Sequence, residues 1–346
     1  MPRVYARNNW KDADNLAVIE TEINSPLSNI WLVSLNNGEA RPITNDLNGY
    51  ECISSCGGNL YALQKEVYSS LHVGEFSDDS DTFEPKQVLG ETGLIDSVAL
   101  SRNGLIYYNS RNSGKNEIWE ISSNGTGQDR LTTDSGMIYT FSVSPKDDSL
   151  IFSFLRDGKI SLFAADSAGQ NIRRLTDGIS DINPIVSPDG RVIFQRGTSP
   201  SSIWNVDSSG NEAPTQLTGY QSTNPSVSPD GKYIACNFMD FGSKNPHWKL
   251  ALIDSSTHGF VRKLEFPSSV TDRTTVWNPK SAELTMVFGG GGSNGLYLWS
   301  IENGSVRLLN EVNAGRIGAF AWSGDGKQLV YPQIFKNGDV IELQGL

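Results

Sequence analysis

Asn183-Pro184-Ile185-Val186-Ser187-Pro188-Asp189-Gly190 returns 41 residues later as Asn224-Pro225-Ser226-Val227-Ser228-Pro229-Asp230-Gly231. Self-similarity at a period of roughly 20–50 residues marks a repeat architecture, and it outranks every local signal. Weaker copies are Leu100-Ser101-Arg102-Asn103-Gly104, Val143-Ser144-Pro145-Lys146-Asp147, Trp277-Asn278-Pro279-Lys280 and Trp322-Ser323-Gly324-Asp325-Gly326. Two further landmarks keep a fixed order with this one. An apolar-Trp pair lies inside a strand-like run at Ile30-Trp31, Ile118-Trp119, Ile203-Trp204 and Leu298-Trp299. A closing triplet follows at Pro42-Ile43-Thr44, Arg130-Leu131-Thr132, Arg174-Leu175-Thr176 and Gln216-Leu217-Thr218.

Each landmark has a physical reading. In Ser-Pro-Asp-Gly the proline presets φ, the aspartate caps the turn's own backbone and the glycine supplies φ > 0. Short alternating runs follow, such as Arg191-Val192-Ile193-Phe194 and Tyr233-Ile234-Ala235-Cys236, with the period of half-buried strands. Four strands per unit of roughly 43 residues is the grammar of a β-propeller blade. The sequence therefore predicts an all-β fold: one closed β-propeller of four-stranded blades filling residues 1–346. Units start near residues 3, 50, 95, 138, 181, 222, 272 and 316, which makes eight blades, with seven as the alternative. The count falls one strand short. Val4 to Arg7 serves either as the first blade's inner strand or as the outer strand of the last.

Composition narrows the function. In 346 residues there are 28 Lys and Arg against 39 Asp and Glu, a formal net charge of −11. Such a surface repels phosphate backbones and anionic headgroups, so no nucleic acid and no direct membrane insertion are expected. No apolar run reaches the roughly 18 residues of a membrane helix. The start, Met1-Pro2-Arg3-Val4-Tyr5, has no apolar core of a secretory signal. Cys52, Cys56 and Cys236 form no disulfide framework. Cys52 and Cys56 sit four apart on an extended run, about 13 Å between Cα atoms, too far to bridge. His72, His247 and His258 show no paired metal-ligand spacing, so neither metal nor cofactor is expected.

The Ser-Pro-Asp-Gly, Ile-Trp and Arg-Leu-Thr landmarks resemble the TolB-type, or WD40-like, propeller repeat across essentially the whole chain. Three stretches resemble more narrowly the C-terminal propeller of acidobacterial serine/threonine kinases and winged-helix regulators. They are Arg41 to Tyr50, Gly125 to Thr132 and Phe320 to Leu329. That resemblance implies a sensor or interaction module and an extracytoplasmic, periplasmic place; without it the expectation is cytoplasmic. It carries over no functional residue. Asn103-Gly104, Lys146-Asp147 and Asn278-Pro279-Lys280 depart from the repeat, and no kinase motif is present.

The chemical candidates are few. Gly291-Gly292-Ser293-Asn294-Gly295 matches the nucleophile elbow, but Leu296-Tyr297-Leu298-Trp299 continues it as a strand rather than a helix. Ser77-Asp78-Asp79-Ser80-Asp81 and Asp147-Asp148 lack the spacing of a calcium loop and read as solvated surface. The insertion Met239 to Trp248 is a second recognition candidate. The repeated tryptophans read as blade-to-blade core. The predicted ligand site is one mouth of the central channel, at the segments entering the inner strands: Tyr50, Asp96, Tyr139, Asp181, Asp272, Arg273 and Arg316. Their identities vary from unit to unit where a structural position would repeat, and Tyr and Arg dominate binding hot spots. The expectation is a monomeric, non-catalytic binding or sensor propeller for a protein, peptide or glycan. The alternatives are a TolB-like scaffold of an envelope assembly and a channel-site polysaccharide lyase or hydrolase.

Overall fold

The computed structural model describes residues 3–22, 28–44, 49–76, 83–110, 116–132, 136–266, 270–280, 282–290 and 293–344. Among them are thirty strands and no helix, hence no helix long and apolar enough to cross a membrane. The strands form seven antiparallel sheets, six of them four-stranded: I over residues 3–42, II over 49–93 with 316–343, III over 98–130, IV over 137–174, V over 181–216, VI over 222–264 and VII over 270–312.

The repeat's turn explains the strand pairing. In sheet V, Ser187 N–H donates to Arg191 O at 2.9 Å and Gly190 N–H donates to Ser187 O at 2.8 Å. Gly190 sits at φ 92, open to glycine at little cost. Asp189 takes the Ser187 hydroxyl and the Arg191 amide, so the carboxylate caps the turn. Sheets VI and II repeat the device, with Ser228 and Ser323 hydroxyls donating to Asp230 and Asp325 at 2.7 and 2.6 Å.

The other landmarks close the sheets. Thr44, Thr132, Thr176 and Thr218 hydroxyls accept the amides of Ile30, Ile118, Leu162 and Ile203 at 2.8–2.9 Å. Where Leu-Thr occurs in sheets III to V the outer strand is two residues long: Asp129–Arg130, Arg173–Arg174 and Thr215–Gln216. Sheets VI and VII lack it and carry the longer outer strands Phe260–Leu264 and Val306–Val312. In the apolar-Trp pair the first residue is the more deeply buried in three copies: Ile30, Ile118 and Ile203 are fully enclosed while Trp31, Trp119 and Trp204 are half-buried. Neighbours along a strand face opposite ways. Ile118 thus enters the core shared by sheets III and IV, and Trp119 the one shared by II and III.

The chain divides into two compact units. The first comprises Met1–Tyr68 and Phe335–Leu346, with Ser113–Lys115. Sheet I runs Arg3–Trp10, Asn15–Glu22, Ser28–Ser34, Ala40–Pro42. Arg3–Trp10 is therefore the first strand of its own sheet. Ala17, Ile19 and Ile30 pack on Ile53, Leu60, Ala62 and Tyr50 of the strands Gly49–Cys56 and Asn59–Phe76.

The second unit comprises Ser69–Asn112 and Asn116–Ile334. Its cores join the sheets in a circuit. Sheet III meets IV through Ile118 and Phe152, IV meets V through Leu162 and Phe194, and V meets VI through Ile203 and Cys236. Sheet VI meets VII through Leu250 and Leu284, VII meets II through Leu296 and Tyr331, and II meets III through Val330 and Tyr108. This is propeller packing, face against face.

Residues 1–346 read as one domain from the sequence; their contacts fall into two compact units. The units beginning near residues 50 and 316, read as separate blades, share sheet II, in which Arg316–Ile317, Gln328–Leu343, Asn59–Phe76 and Gly49–Cys56 pair in that order. Ala321–Trp322 and Phe83–Gly93 complete it. The cause is length: Asn59–Phe76 has 18 residues and Gln328–Leu343 has 16, where other strands stop at eleven or fewer.

Candidate functional site

In the second unit the first strands of sheets III, IV, V, VI and VII, together with residues 319–322 of sheet II, line one cavity of about 550 Å³. Five of the six segments run from a polar residue to the turn, the sixth starting at Ala319, so one end of the cavity is polar and the other is rimmed by Pro145, Pro188, Pro229 and Pro279. The wall between is apolar, with Phe141, Ile185, Val227, Trp277 and Phe320. A concave apolar site with a few placed polar groups is the usual form of a ligand pocket.

The polar end is built by a bulge. Register shifts fall between Ile138 and Phe141, Ile182 and Ile185, and Thr223 and Ser226. Asn183 and Asn224 take left-handed backbone there, at φ 52 and 51, a conformation asparagine tolerates better than most residues. Asn183 Nδ2 donates to Asn224 Oδ1 at 3.0 Å, tying sheet V to sheet VI. The Asn183 amide donates to Thr140 Oγ1 at 2.9 Å, tying V to IV. Asn183 Oδ1 and Asn224 Nδ2 have no hydrogen-bond partner among the described residues, which leaves one acceptor and one donor. Thr275 is 3 % exposed, lines the same cavity, and its buried hydroxyl has no partner among the described residues. An unsatisfied buried hydroxyl costs about 1–3 kcal/mol.

The predicted mouth residues separate. Asp96 lines the cavity, and its amide donates to Asn109 Oδ1 at 2.9 Å. Tyr139 and Arg273 lie one residue before the lining residues Thr140 and Thr274, Tyr139 half-buried and Arg273 exposed. Asp181 is fully buried and holds Arg196 Nε and Nη2 at 2.7 and 2.8 Å, which raises the arginine's pKa. Arg316 is exposed, on the short strand Arg316–Ile317 of sheet II. Tyr50 belongs to the first unit's core, 4 % exposed, with Gln64 Nε2 donating to its hydroxyl at 3.3 Å. Asp272 lies on the strand Val270–Trp277, and its side chain is outside the described residues. The polar end is instead made by Asn183 and Asn224, which sit inside the repeated motif. Their signal was the unusual Asn-Pro step at a strand interior.

Gly291 and Gly292 lie outside the described residues, as do residues 77–82; Ser293 begins the strand Ser293–Ser300. Among the described residues no three His, Cys, Asp or Glu side chains gather as metal ligands would. Burial pushes the Cys236 thiol up to about 12, away from the reactive thiolate.

No protein-family model matches the chain, and no curated protein matches it. Solved structures do. A TolB from Agrobacterium tumefaciens superposes with a TM-score of 0.64 at 18% identity, covering 78% of this chain and 99% of that one. TolB from Acinetobacter baumannii gives 0.55 at 18%, covering 94% and 80%. A chain of a nidogen/laminin complex gives 0.54 at 10%, covering 77% and 98%. The fold is a TolB-like β-propeller.

Proposed function

We propose that this chain is a non-catalytic recognition propeller whose second unit binds an uncharged polar segment of a peptide or glycan in the six-strand cavity. In this reading it is the sensor portion of a bacterial signalling protein and works outside the cytoplasm. We also infer that the second unit has six blades, the sixth assembled in sheet II from residues near both ends of the chain. The observation that carries the reading is the pairing of an apolar wall with unspent neutral hydrogen-bonding groups, Asn183 Oδ1 and Asn224 Nδ2, at one cavity. Neutral donors and acceptors discriminate by geometry, since a ligand that leaves them unmet forfeits their desolvation.

Peptide and glycan arrays probed with the wild-type chain and with Asn224→Gly test this. Glycine keeps the left-handed backbone and removes the side-chain amide, so the variant is expected to stay folded and to bind array hits about tenfold more weakly. Equal binding by the variant moves recognition away from the cavity. Turnover of peptide, ester or polysaccharide by the wild type overturns the non-catalytic reading.

A further inference from the structure

A second cavity, about 790 Å³, opens at the turns of sheets II, III and IV, with Arg102, Asp148, Trp322, Lys327 and Glu75 in its lining. Two of those turns are where the repeat is broken, and the two breaks fit each other. In sheet III the repeat's proline is replaced by Arg102. Unlike proline it has an amide hydrogen, which donates to Asp148 Oδ1 at 2.9 Å. In sheet IV the turn is one residue longer and its left-handed position falls on Asp148, at φ 59; its amide donates to Ser144 O at 3.1 Å, four residues back where Gly190 reaches three. Asp148 is 6 % exposed and spends its second oxygen on Arg102 Nε at 3.2 Å.

The consequence is a held guanidinium. Nε and the backbone amide are fixed on one buried carboxylate, while Nη1 and Nη2 have no hydrogen-bond partner among the described residues and the side chain is 56% exposed. Lys327, itself engaged by other groups, also lines the cavity. Of the acids nearby, Glu75 Oε1 accepts from Gln328 Nε2 at 3.3 Å, Asp325 caps its own turn, and Asp147 caps the Ser149 amide and hydroxyl while its charge acts on Arg102. The Trp322 indole is fixed by its N–H on Thr285 Oγ1 at 2.8 Å and stacks on Phe76 with centroids 5.0 Å apart. An arginine fork pre-set in this way matches the two oxygens of a carboxylate.

We propose that this turn-side cavity is a carboxylate-binding site, with the Nη groups of Arg102 as its fork. The test is titration calorimetry on the full chain with three probes: citrate, a pentapeptide with a free C-terminus, and the same pentapeptide amidated. Citrate or the free-acid peptide binds, the amidated peptide does not, and Arg102→Gln weakens binding about tenfold or more while an unaltered near-ultraviolet dichroism shows the fold kept. Citrate alone as the bound probe identifies free organic acids as the source; the free-acid peptide alone identifies chain termini. Arg102→Lys, which keeps the charge and loses the fork, falls between. Asp148→Asn keeps the cap on the Arg102 amide, removes the neutralising charge and is expected to bind as well as the wild type or better. No binding of either carboxylate by the wild type, or undiminished binding by Arg102→Gln, overturns the proposal and leaves the pair as a bolt between turns.

Discussion

Among the described residues Arg196 alone holds the Asp181 carboxylate, and that decides what it does. Its carboxylate is enclosed and grips Arg196, whose guanidinium lies 4.7 Å from the Trp204 ring centroid. Removing one member of a buried pair strands the other. Asp181→Ala is expected to cost about 3 kcal/mol in urea unfolding, toward the low end because Arg196 reaches water; a loss under about 1 kcal/mol would mean the arginine finds other partners. Asp181 was legible as a varying position near the inner strand's entrance, but variation also marks a private ion pair. The sequence spells out turn chemistry because Ser, Asp and Gly act within four residues of each other. It cannot say on which side of a bulge a side chain emerges. One position separates Tyr139 from the cavity-lining Thr140, and two separate Asp181 from Asn183.

The insertion between strands Tyr233–Asp240 and His247–Asp254 of sheet VI is shaped by the first residue after it. Both His247 nitrogens meet acceptors, Asn245 O and Glu265 Oε2, each at 2.8 Å. Only the imidazolium donates from both. The Asn245 carbonyl first, and the Glu265 carboxylate second, raise its pKa above the ordinary 6.5. Lys249 is the opposing charge, itself held between Asp240 and Glu265 at 2.9 and 2.6 Å. A raised histidine contributes its stabilisation in full below the unfolded value and loses it as pH climbs through the folded one. Amide hydrogen exchange in residues 241–246, corrected for intrinsic rate, is therefore expected to quicken between about pH 6 and pH 8. His247→Ala should exchange fast at both. An unchanged profile in the variant would assign the ordering of this loop to Lys249 instead.

The circuit of cores in the second unit depends on strands far apart in sequence. Sheet II supplies Val330 and Leu71 to the core with sheet III, and Tyr331 and Leu329 to the core with sheet VII. Local turn signals gave no hint of this sharing, because the runs that accomplish it, Asn59–Phe76 and Gln328–Leu343, carry on past the usual strand length without a Pro-Asp-Gly to stop them. The unbroken stretch from Asn59 to His72, free of Gly and Pro, was the available clue. Blades bury their faces only against neighbours, so a circuit stands or falls with each member. Deleting residues 314–346 strips sheet II of three strands and opens two of the six cores at once. The truncated chain is expected to lose its sharp calorimetric transition and its near-ultraviolet dichroism. Deleting residues 1–48 removes sheet I and touches none of the six cores, so the second unit should keep one cooperative transition. If the C-terminal truncation melted as sharply as the full chain, the circuit of cores would not be what makes the unit cooperative. Loss of the transition in the N-terminal truncation would show that the second unit cannot stand without sheet I.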